Sequence, residues 1–102
     1  NKRYYIVGDG MYKKQRLTDT VWIAFHSGLT TYYTDGIRGD AINNVFVVGA
    51  FGIVLHFNGT SWHNFQNETY INGSLGRLDV KGKLMVAFGG LYTKGIMMIA
   101  HR

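Results

Sequence analysis

The apolar positions of this chain fall into short runs, many alternating with polar residues, and the runs are broken at near-regular intervals by glycine and asparagine. Residues 44–49 (NVFVVG) form a continuous apolar run between polar residues and glycine, the pattern of a strand covered on both faces. Residues 52–58 (GIVLHFN) alternate instead, placing Ile53, Leu55 and Phe57 on one face and His56 on the other. The linking 49–52 (GAFG) reads as a hairpin connection, and Asn58-Gly59 as a tight turn into a strand over 60–65. Ahead of the apolar run, residues 35–41 (DGIRGDA) are small and glycine-rich, fitting a strand packed near a crowded axis. The same order predicts strands over 3–7, 12–17 and 21–25 upstream, and over 74–80, 84–88 and 95–101 downstream. Helical periodicity and cap-to-cap helix signals are absent, so the expected class is all-β.

The pattern also repeats. YYIVGDG at 4–10 returns as VFVVGAFG at 45–52 and, more loosely, as LMVAFGG at 84–90. TVWIAF at 20–25 returns as TSWHNF at 60–65, with Trp22 and Trp62 in matching places. A period of about forty residues means stacked supersecondary units, none able to bury its apolar face alone.

The unit 37–62, IRGDAINNVFVVGAFGIVLHFNGTSW, resembles the blade of a bacterial β-propeller family of the Asp-box and photosystem-assembly-factor type. The resemblance rests on a small inner strand, a VFVVG strand, a strand opened by glycine and an NGTSW turn; the Gly-His and Trp-Asp pair of WD40 repeats is missing. It covers nearly the whole chain, with 11–20 and 92–102 degenerate. It implies four-stranded antiparallel blades, divided into a partial blade over 3–34, a full blade over 35–73 and a partial blade over 74–102. With strands lettered A to D from the axis outward, the chain reads BCD, ABCD, ABC, and GIMMIAHR is similar to the end of such propellers. Trp22 and Trp62 are expected at equivalent outer positions, as wedges of core between blades rather than as sugar-stacking platforms. Closed propellers hold about four to eight blades. The resemblance therefore implies a C-terminal fragment of about two and a half blades, incomplete in one chain and completed by homo-oligomerisation into a ring of two or three copies.

Composition agrees with packing against another chain. The 102 residues are 46% hydrophobic, 15% aromatic and only 17% charged, a balance opposite to that of disordered chains and heavy for so small a core. There are no cysteines, which removes disulfides and thiolate metal sites. No apolar run approaches the roughly 20 residues of a membrane-spanning helix, and the N-terminus lacks the apolar stretch of a signal peptide. The chain opens at Asn1, inside a strand pattern and without methionine, which reads as a processed or excised piece of something longer. The net charge of +5 raises the question of nucleic acid, which would need a basic surface interleaved with aromatics. The one local cluster, Lys13-Lys14-Gln15-Arg16, reads instead as a solvated hairpin or edge strand. Neither nucleic acid nor membrane is an expected partner, and nothing in the sequence indicates a compartment.

Catalytic signatures are missing. His26, His56, His63 and His101 lack metal-ligand spacing, and Gly59-Thr60-Ser61-Trp62 is no nucleophile elbow. Neither Gly8-Asp9-Gly10 nor GAFG opens a helix, as a phosphate loop would. Asp40 and Asp79 would make a glycosidase pair only by facing each other across a pocket; each adjoins a turn or strand start and reads as a turn residue. Asn58, Asn67 and Asn72 head Asn-x-Ser/Thr triplets but fall at expected turns. The expectation is a structural or interaction module, not an enzyme, without cofactor or metal. Any binding site should lie at a channel mouth and use Arg38, Asp40, Arg77 and Asp79. The alternative is a multivalent carbohydrate-binding propeller that stacks sugars on loop aromatics, above all Tyr33 and Tyr70, with Tyr32 beside them.

Overall fold

The computed structural model describes residues 3–8, 10–16, 18–24, 33–65, 73–91 and 94–101. Among them the chain forms ten strands: β1 (Tyr4–Gly8), β2 (Gly10–Lys14), β3 (Ile23–Ala24), β4 (Thr34–Ala41), β5 (Asn44–Gly49), β6 (Val54–Phe57), β7 (Trp62–Asn64), β8 (Ser74–Lys81), β9 (Leu84–Leu91) and β10 (Lys94–His101). They make three antiparallel sheets, ordered β1-β2-β3, β4-β5-β6-β7 and β8-β9-β10. The all-β expectation holds, and among the described residues the one helical element is the 3-10 turn Ala50–Gly52.

Stacking of the sheets explains the continuous apolar run of β5, which is buried from end to end. Phe46 and Val48 of β5, with Val54 of β6, pack on Leu75, Leu78, Met85 and Ala87 of the third sheet. Val47, between them in sequence, points the other way and joins Ile53, Leu55 and Met11 in a core shared with the first sheet. A strand with a core on each side has no polar face to alternate with. Each such valine contributes roughly 1.5–3 kcal/mol by its burial.

Two glycines mark where the sheets are tightest. A Cβ on Gly49 would collide with the Tyr33 carbonyl oxygen and lie 2.8 Å from Thr34 Cα. On Gly89 it would collide with the Ser74 carbonyl and lie 2.9 Å from Leu75 Cα. In both sheets, then, the start of the first strand crosses the end of the second with no room for a side chain. Gly8 ends β1 as Gly49 ends β5, yet nothing lies within 4 Å of its missing Cβ.

Several expected boundaries move. β2 stops at Lys14 rather than 17, because Arg16 and Asp19 close a turn: Arg16 N–H donates to the Asp19 carboxylate at 3.2 Å and Asp19 N–H to the Arg16 carbonyl at 3.1 Å. β3 opens at Ile23 rather than at 21, and the expected end at 25 lies outside the described residues. The link after β5 is a 3-10 turn with Phe51 at φ 55, a left-handed conformation seldom taken by a large side chain. The Asn58 turn forms as expected, its side-chain oxygen accepting the N–H groups of Thr60 and Ser61, both at 2.9 Å.

The two tryptophans stand at or beside the start of the last strand of their sheets, but in different company. Trp62 opens β7, stacks on Phe57 with ring centroids 5.2 Å apart and packs on the core shared with the first sheet. Trp22 lies just before β3, with Lys14 Nζ 4.5 Å above its ring. β6 ends in a phenylalanine and β2 in a lysine, so one indole gains an aromatic neighbour and the other a cation.

Candidate ligand-binding grooves

The first strands of the second and third sheets run side by side, and their close approach at Gly36 creates a groove. A Cβ on Gly36 would lie 2.9 Å from Leu78 Cδ2 and 3.1 Å from the Gly76 carbonyl. Beside this contact opens a groove of 760 Å³ that includes Arg38, Arg77, Asp79, Asp35 and Phe88 in its lining. Three of the four residues expected at a channel mouth thus share one groove. Arg38, Arg77 and Asp79 are all exposed. Arg38 donates through Nη1 to the neighbouring Ile37 carbonyl at 3.2 Å, and Asp79 accepts from the Val80 N–H at 3.0 Å. Two guanidinium groups, two carboxylates and the half-exposed Phe88 ring can hold a ligand carrying both charge and an apolar surface.

Asp40 is different. Its Oδ1 accepts from Asn44 Nδ2 at 2.7 Å and its Oδ2 from the Gly82 N–H at 2.5 Å, which holds the β8–β9 turn to the middle sheet. The same Asn44 Nδ2 donates to the Gly82 carbonyl at 2.6 Å. Both amide protons of Asn44 are therefore spent, and its Oδ1 must accept from His56 Nε2 at 2.9 Å. That assignment fixes a proton on Nε2 of His56, a buried ring 4.4 Å from that of Phe46. The carboxylate read from sequence as a site or turn residue is a clamp between two sheets.

Sequence reasoning missed this clamp for a physical reason. Asn44 corresponds to Leu84 in the next unit, so no repeat signalled a polar role, and the histidine was read only as facing away from Leu55. Thr34 was missed likewise: it is buried, and its hydroxyl joins β4 to β1.

The other expected residues are scattered. Tyr33 is 62% exposed, precedes β4 and lies outside the groove linings; its carbonyl accepts the Ala50 N–H at 3.0 Å. Tyr70 and Tyr32, with His26, Asn67 and Asn72, lie outside the described residues. His63 packs edge-on against Phe65 at 4.2 Å, and His101 is exposed at the end of β10. Among the described residues no three histidine or acidic side chains group as a metal site would require. A smaller groove of 290 Å³ along β2 and the start of β3 takes in Lys13, Lys14 and Asp19. A third, of 470 Å³, lies between β1 and β4 and is lined by Arg3, Tyr4, Arg38 and Asp40 among others. No family model, no curated protein and no solved structure matches this chain.

Proposed function

We propose that this chain is a structural and interaction module made of β-propeller-type blades, carries no catalytic chemistry of its own, and completes itself by head-to-tail association with copies of itself into a closed ring. One observation carries the reading: positions buried in the middle sheet are bare in the terminal ones. Val48 of β5 is 0% exposed, whereas Phe88, its counterpart in β9, is 47% exposed. Val47 is 0% exposed, whereas Ile6, its counterpart in β1, is 45% exposed.

The two bare faces lie on opposite sides of the array. Phe88 pairs with Met97 and Val86 with Ile99 across β9 and β10, and Met97 and Ile99 are 69% and 59% exposed. Ile6 pairs with Tyr12 on the far side of the first sheet from Val7 and Met11, which pack inward. Within the chain, the Phe46–Val48 side of one sheet meets the Met85–Ala87 side of the next. The bare Phe88 side of one copy is suited to the bare Ile6 side of another in the same manner. Contiguous apolar surface of this kind is rare on monomers. A contact between two different faces closes into a ring or extends into a fibre according to its rotation.

Charge placed on either face tests the reading. Phe88→Lys and Ile6→Lys should each stop assembly, and mixing the two proteins should restore a single contact, giving a 1:1 pair. If Ile6→Lys alone still dimerised, the contact would join like faces and the ring would be wrong.

A further inference from the structure

The groove between β1 and β4 has the form of a strand site. β5 is covered on one side by β4 and β9 by β8, whereas β1 is paired only to β2, and among the described residues no strand lies along its other edge. The three glycines make the same point in side-chain terms. Gly49 and Gly89 each lie against the carbonyl that precedes or opens the covering strand, while Gly8 has open space in that direction. Along the Arg3–Tyr5 stretch of that edge runs the 470 Å³ groove, bordered on its far side by residues 37–42.

We propose that this groove binds an acidic peptide in extended form, which adds to the free edge of β1 as a fourth strand, much as β4 covers β5. Strand addition draws its affinity from main-chain hydrogen bonds and its selectivity from side-chain pockets. The selectivity here is electrostatic. The groove brings Arg3 and Arg38 to its walls, and neither is held by an acidic group among the described residues. Among the described residues its one carboxylate, Asp40, is engaged by Asn44 and Gly82. The charge left for a ligand is positive, in a chain whose net charge is +5. Thr34 already binds the Gly8 N–H and carbonyl on that edge, so by alternation the new strand would pair through Tyr4 and Ile6.

The probe is a fluorescent synthetic peptide copying β4, TDGIRGDA, which carries two aspartates and one arginine and is the strand that fills the matching place on β5. Fluorescence anisotropy should show saturable binding. Binding should tighten severalfold for the peptide with Arg38→Glu and weaken at least tenfold when the protein carries Arg3→Glu and Arg38→Glu. N-methylation of alternate peptide nitrogens should abolish it, and hydrogen exchange at Ile6 should slow only with the unmethylated peptide. Circular dichroism confirms that the exposed-arginine variant folds. No saturable binding at millimolar peptide, or binding indifferent to N-methylation or to the arginines, overturns the proposal. So does uptake that occurs only as an oligomer dissociates in light scattering, because a second copy would then hold the groove.

Discussion

The hydroxyl of Thr34 accepts the backbone N–H of Gly8 and donates to the Gly8 carbonyl, both at 3.2 Å, so that one buried side chain joins the first sheet to the second. Thr34→Val keeps the shape and removes both bonds, leaving a donor and an acceptor unmet. The expected cost is about 1–3 kcal/mol, read in urea unfolding as a lower midpoint at unchanged slope. Thr34→Ser, which keeps the hydroxyl, should lose less.

The Asn44 clamp makes a sharper prediction. Asn44→Leu places in the middle unit the residue that the third unit carries at Leu84, yet it strands the His56 Nε2–H and releases the Gly82 carbonyl. The protein should lose about 2–4 kcal/mol, more than it loses on Asp40→Asn, which removes a charge and spares the histidine. An Asn44→Leu protein as stable as the parent in urea would mean that the sheets are not held together here.

Close approach at the glycines separates two substitutions that look alike in sequence. Gly49→Ala forces backbone apart at Tyr33 and Thr34, and should cost about 3 kcal/mol. Gly95→Ala meets nothing within 4 Å, and its effect should stay within about 0.5 kcal/mol. Thermal unfolding of the pair checks both.

Much of this fold was legible from the chain because the signals were local. A run with no polar alternation, NVFVVG, meant a strand between two cores, and Asn58-Gly59 meant a turn; both are in place. Legibility ended where partners are distant in sequence. Asp40 binds Gly82, and Thr34 binds Gly8, contacts that no periodicity encodes. Asp40 resembled its neighbours Arg38 and Asp79 on paper and differs from them only because a turn from the next sheet lies against it. β2 ends short of 17 because the Arg16–Asp19 turn withdraws residues that composition alone allowed to extend the ladder.

The two bare faces also predict a stability coupled to concentration. If Phe88 and Ile6 become buried on assembly, the melting temperature should rise with protein concentration. Phe88→Lys should abolish that dependence and should not lower the melting temperature of the dilute protein, since the side chain is 47% exposed in the single chain.

Sedimentation equilibrium of the unmodified chain addresses self-association itself, across micromolar concentrations and at moderate salt. The expected result is a discrete species of two or three times the 11.5 kDa chain mass, reached by reversible association. A well-folded species that stays at 11.5 kDa at every concentration would contradict it.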